Sequence, residues 1–104
     1  MTTTIAPDDL DRRLKAEGLI LVDVRRRADR DIDPAGIPGA TWRDPEGVDD
    51  WSGALPQDRQ VVVYCVKGGS VSRSITAALS EKGIRASYLE GGIAAWKASG
   101  RETQ

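Results

Sequence analysis

The chain has 104 residues, 39% of them apolar and 30% charged, which suits one hydrophobic core in a folded domain spanning 1–104. Fifteen Lys and Arg against sixteen Asp and Glu leave a net charge of −1, so no excess of charge points to nucleic acid or a membrane surface as partner. With no histidine and one cysteine, Cys65, the chain excludes a Ser-His-Asp triad, a Cys-His dyad, a His-ligated metal, an internal disulfide and any paired-cysteine motif.

Strand-like and helix-like segments alternate, the pattern of an α/β domain with a mainly parallel sheet. Pro7, Asp8 and Asp9 suit a first helical turn, where proline loses nothing and acids oppose the dipole. Leu10 and Leu14 share one face of that helix, and Gly18 is its expected stop. Leu19 to Val22 is a continuous apolar run, as in a strand covered on both faces. Arg25-Arg26-Arg27 precedes Asp29, Asp31 and Asp33, which is read as a locally neutralised, solvated face. Ile37 to Ala40 signals a turn and strand, and Pro45 to Trp51 a short helix.

Gln60 to Tyr64 is the strongest strand, three valines running into Cys65. Ser72 or Ser74 is the expected cap of the next helix, with Ile75, Ala78 and Leu79 inward and Gly83 as stop. Ser87 to Leu89 reads as a strand, Gly91-Gly92 as a turn, and Ile93 to Ser99 as a last helix carrying Trp96. No apolar run approaches the roughly 20 residues of a membrane span. The start, Met1 to Ile5, lacks the basic and apolar segments of a secretory signal. A reduced cytoplasmic compartment and no metal or other cofactor are therefore expected.

The chemistry lies in Tyr64-Cys65-Val66-Lys67-Gly68-Gly69-Ser70-Val71-Ser72. A buried strand delivers Cys65 to its carboxyl end, where open α/β sheets bind ligands. Gly68 and Gly69 allow backbone angles that turn successive N–H groups into one concavity, and the following helix adds its free N–H groups. Such donors, with the cation of Lys67, favour a thiolate and make it a nucleophile. The competing reading is a small buried hydrophobe that ends a strand. The glycine loop and the strand end favour reactivity, although several kinds of thiol enzyme share this arrangement.

Three further segments, Leu21–Arg25, Ala35–Ala40 and Leu89–Trp96, resemble those of a known family, the single-domain rhodaneses, sulfurtransferase domains that carry sulfur as a cysteine persulfide. Leu21-Val-Asp-Val-Arg25 is similar to the family's early strand. Ala35-Gly36-Ile-Pro-Gly-Ala40 resembles its GHIPGA turn, with the usual His replaced by Ala35 or Gly36. Leu89-Glu-Gly-Gly-Ile-Ala-Ala-Trp96 resembles its LEGGIxAW signature. The resemblance covers nearly the whole chain and implies a three-layer α/β domain, with a mostly parallel five-stranded sheet flanked by helices. It departs in the active loop. Many relatives carry an arginine five residues after the cysteine, where this chain has Ser70, and the loop here is one residue longer. A longer loop resembles the fold's phosphatase and arsenate-reductase relatives, but those place an arginine six residues after the cysteine, and here that residue is Val71.

The resemblance implies transfer of sulfane sulfur from thiosulfate or a similar small donor to Cys65, and then to cyanide, a thiol or a thiol-carrying acceptor protein. Residues 66–71 would supply backbone N–H groups to both anionic states. Lys67 either attracts the donor's sulfonate or faces solvent. The Ser70 and Ser72 hydroxyls can donate to the persulfide, or Ser72 serves only as a cap. Asp23 and Arg25 are expected to brace the site, and Arg73 to pair at the surface. Trp42, Trp51 and Trp96 are read as packing residues, with Trp42 and Trp51 candidates for the mouth. Two alternatives stay open: an oxyanion-directed thiol enzyme of the arsenate-reductase or phosphatase kind, and a non-catalytic binding or sensor module.

Overall fold

Apolar alternation along the strands divides the core in two. The computed structural model describes residues 4–16 and 19–104, so the expected stop at Gly18 and the start of the chain lie outside the described residues. In chain order the elements are β1 (Thr4–Ile5), α1 (Pro7–Ala16), β2 (Ile20–Asp23), α2 (Arg27–Ile32), β3 (Thr41–Trp42), α3 (Val48–Trp51), β4 (Val61–Tyr64), α4 (Ser70–Glu81), β5 (Ala86–Leu89) and α5 (Gly92–Ala98). Single 3-10 turns at Pro45–Gly47 and Ser52–Ala54 flank α3.

The five strands form one sheet in the order β1-β5-β4-β2-β3, and every pairing is parallel. The sheet is thus wholly rather than mostly parallel. On one face Leu21, Val62, Tyr64 and Leu89 meet Leu10 of α1 and Ile93 and Trp96 of α5. On the other Val22, Val61 and Val63 meet Ile75 and Leu79 of α4, with Val48 and Trp51 of α3 packed alongside. All four residues of β4 are inaccessible, as a central strand covered on both faces requires.

Local signals and structure differ in three places. α4 begins at Ser70 with Gly69 as its N-cap and no side-chain cap bond, so neither Ser72 nor Ser74 caps it. Its other end follows expectation: Gly83 adopts φ +82°, its N–H bonds Ser80 O at 3.0 Å, and Ile84 N–H bonds Leu79 O at 3.1 Å. Those two bonds, with Leu79 and Ile84 packed in one cluster, are a Schellman stop. α2, read as a solvated stretch, is a six-residue helix with no buried residue, which is why it carries no apolar period. β1 is only two residues long and rests on pairing with β5 rather than on any pattern of its own.

Candidate active site

β4 carries Cys65 to the carboxyl edge of the sheet, beside the end of β2, where Asp23 stands level with Tyr64. Cys65 is 6% exposed and forms the base of a depression of about 250 Å³, together with Val66, Lys67, Gly69, Ser70 and Val71 from its own loop and Arg26 and Asp29 from the segment after β2. A wider cleft of about 690 Å³ opens beside it and shares Arg26, Ser70 and Val71, with Val48, Ile75 and Ala78 on its apolar side.

The loop owes its course to the Leu89–Trp96 segment. Ile93 N–H donates to Cys65 O and Ala94 N–H to Val66 O, each at 3.0 Å. In a trans peptide the N–H points opposite to its C=O, so these two bonds turn the Val66 and Lys67 N–H groups away from α5. Among the described residues, no protein oxygen accepts from the N–H groups of residues 66–72. Two glycines make the close approach possible. Gly92, at φ +62°, leaves no room for a Cβ, which would stand 2.5 Å from Cys65 O and 2.6 Å from Val66 O. Gly68, at φ +71°, lies against Leu89 O and Gly91 N, each 3.0 Å from where a Cβ would sit. The signature segment is therefore the back wall of the cysteine loop.

The residues singled out from sequence separate into three groups. Val66, Lys67, Gly69, Ser70 and Val71 line the depression with Cys65. Gly68 faces the back wall instead. Ser72 is wholly buried on α4, and its Oγ has no partner among the described residues, so its hydroxyl does not reach the depression. Arg73 is exposed and lines neither cavity.

Asp23 and Arg25 are buried against each other, with Arg25 Nη2 2.8 Å from Asp23 Oδ2 and Nε 3.1 Å from both carboxylate oxygens. The guanidinium also donates to Asp33 O at 2.9 Å and Ala35 O at 3.1 Å, tying the segment before Gly36 to the end of β2. Burial alone would lower the Arg25 pKa, but the Asp23 hydrogen bond and charge outweigh it and hold it above the ordinary arginine value. Tyr64 lies beside this pair, its hydroxyl accepting from Ile37 N–H at 3.1 Å. Burial, reinforced by the Asp23 charge, pushes that hydroxyl above the usual tyrosine range.

The three tryptophans are packing residues. Trp42 Nε1 donates to Arg25 O, Trp51 Nε1 to Asp44 O and Trp96 Nε1 to Glu102 O, at 2.8–2.9 Å. None lines either cavity, so Trp42 and Trp51 do not form the mouth.

Among the described residues, none of the basic triplet forms an ion pair with Asp29, Asp31 or Asp33. Arg25 pairs with Asp23, Arg27 pairs with Asp44, and Arg26 turns to the cysteine depression together with Asp29. Both had a signal in the sequence: they follow the neighbouring strand at the sheet edge where Cys65 emerges. Among the described residues no cluster of His, Cys, Asp and Glu could hold a metal, and no helix is long and apolar enough to cross a membrane.

Comparison with known proteins agrees with this architecture. The family model described as a rhodanese-like domain matches residues 6–99. A curated sulfurtransferase of Allochromatium vinosum is 34% identical over 102 residues, covering 96% of this chain and 92% of that protein. A rhodanese-related protein of Thermoplasma volcanium superimposes with a TM-score of 0.84 at 24% identity, over 97% of this chain and 96% of that one. A Rhodopseudomonas palustris protein of unknown function, described as a possible tyrosine phosphatase, superimposes with a TM-score of 0.83 at 23% identity, over 99% and 85% of the two chains. These last two are likenesses of fold.

Proposed function

This chain belongs to the rhodanese-like domain family, and we propose that it is a sulfurtransferase that accepts sulfane sulfur from thiosulfate or a similar small donor as a persulfide on Cys65. The observation that carries the reading is Cys65 at the base of a depression rimmed by a loop with unclaimed N–H groups.

The Cys65 thiolate attacks the outer sulfur of thiosulfate. A new S–S bond forms at Sγ as the donor's S–S bond breaks, and its electron pair leaves with sulfite. One thiolate and one dianion become one persulfide anion and one dianion, so no proton or redox partner is needed. An acceptor nucleophile, cyanide in an assay or a thiol, then attacks the terminal persulfide sulfur and returns Cys65 as thiolate. Loop N–H groups held in place before the charge arrives suit both anions, since they need no reorganisation during the reaction.

The oxyanion-directed alternative is weaker on chemical grounds. A phosphoryl transition state calls for a bidentate clamp in the loop, and the residue six after the cysteine is Val71, whose side chain packs against the core. A module that only binds would not need the thiol that lines the depression.

Intact mass of the protein after thiosulfate, with and without later cyanide, tests the proposal. A gain of about 32 Da, one sulfur atom, that cyanide removes is the expected result, and Cys65→Ser should show none. If the wild-type thiol alkylates readily but takes up no sulfur, thiosulfate is the wrong donor. Turnover of arsenate or an aryl phosphate would replace the reading outright.

A further inference from the structure

We propose that Arg26 is the second cation of the anion site at Cys65, receiving the negatively charged end of the sulfur donor opposite Lys67. The identity of the anion as a sulfur donor rests on the sulfurtransferase reading above, but the anion site itself does not.

Three consecutive arginines leave β2, and their neighbours assign them different tasks. Arg25 is 2% exposed and locked to Asp23. Arg27 pairs with Asp44 at 3.9 Å and stands 5.1 Å from the Trp42 ring, which Arg30 also covers at 5.3 Å. Arg26 lies between these two anchored side chains. It is exposed, has no ion-pair partner among the described residues, and lines the same depression as Cys65.

Lys67 reaches that depression from the cysteine loop and is likewise unpaired. The one acid there is Asp29, so Arg26, Lys67 and Asp29 together carry a net +1, added to the free N–H groups of the loop. Joining a thiolate to a dianion opposes two like charges, which nearby cations relieve in both ground and transition states. Within the loop, positions 70 and 71 are serine and valine, so the guanidinium comes from the neighbouring strand end instead. Arg26 also lines the 690 Å³ cleft that opens beside the depression.

The test reads the charge at Cys65 without relying on sulfur transfer. Alkylation rates with anionic iodoacetate and neutral iodoacetamide are compared at low salt for wild type, Arg26→Gln, Arg26→Lys and Arg27→Gln. Arg26→Gln should lower the iodoacetate-to-iodoacetamide ratio about three- to fivefold, the scale of one exposed charge contact. Arg26→Lys should retain most of the ratio. Arg27→Gln, which removes an equal charge one residue away, should change it less than about twofold. The KM for thiosulfate should rise in Arg26→Gln with kcat nearly unchanged.

An unchanged ratio in Arg26→Gln overturns the proposal. So does an equal fall in Arg26→Gln and Arg27→Gln, which would mean a diffuse field and not a site. A selective fall in a protein that takes no sulfur from thiosulfate supports the anion site while removing thiosulfate as the donor.

Discussion

Gly92→Ala tests the idea that the Leu89–Trp96 segment shapes the cysteine loop. The added carbon would stand 2.5 Å from Cys65 O, against about 3.4 Å for an ordinary contact, so the loop or α5 must retreat by about 0.9 Å. The obstacles are backbone atoms of Cys65 and Val66, which have no rotamer to yield. The left-handed φ of +62° adds about 1–2 kcal/mol for any residue with a Cβ. Forced displacement in a packed region adds about 1–3 kcal/mol. At about 4–8 °C per kcal/mol for a domain of this size, the Tm should fall by roughly 10–40 °C.

Displacement of the nucleophile by that distance should lower kcat/KM for sulfur transfer about 100-fold, measured well below the new Tm. Gly91→Ala is the control: its Cβ would meet the Ala95 Cβ at 2.5 Å and no atom of the cysteine loop. It should lower Tm similarly but keep kcat/KM within a few-fold. The reasoning is refuted if Gly92→Ala transfers sulfur at the wild-type rate, or if both variants lose activity in proportion to stability.

Other perturbations probe the frame and the loop. Asp23→Asn leaves the Arg25 guanidinium buried without its counter-charge and should cost about 3–5 kcal/mol in urea unfolding; a loss below about 1 kcal/mol would show that the pair is not structural. Lys67→Ala should raise the thiosulfate KM about three- to tenfold with less change in kcat, and an unaltered KM would return Lys67 to the solvent. The Lys97 hydrogen bond holds the Asp33 carboxyl below its ordinary value of 3.8. That ion pair therefore stabilises the fold fully above the ordinary value and is lost as pH falls through the lowered one. The Tm gap between wild type and Asp33→Asn should accordingly be steady near neutrality and close below about pH 4; a gap that widens on acidification would contradict this.

Local signals carried most of the fold. Three valines ending at a cysteine, Pro7 with its acids, and Gly83 after an apolar helical face act within a turn or two, so a linear reading finds them. The segments Leu21–Arg25, Ala35–Ala40 and Leu89–Trp96 likewise identified the architecture before any contact was known. Reading failed where no short-range period exists: α2 buries nothing, and two-residue β1 is held by its partner.

The site divides along the same line. Composition and order alone determined the lone cysteine, its loop and its place at the end of the central strand. Only the tertiary structure decided which groups surround it. Parallel pairing of β2 with β4 brings Arg26 beside Cys65, 39 positions later in the chain, and α5 pins the loop through the Cys65 and Val66 carbonyls. Ser72 was a candidate by proximity in sequence, yet α4 begins at Ser70 and turns its third residue into the interior. Helix phase and strand pairing set those directions, and both are fixed by burial summed over the whole sheet rather than by any neighbouring residue.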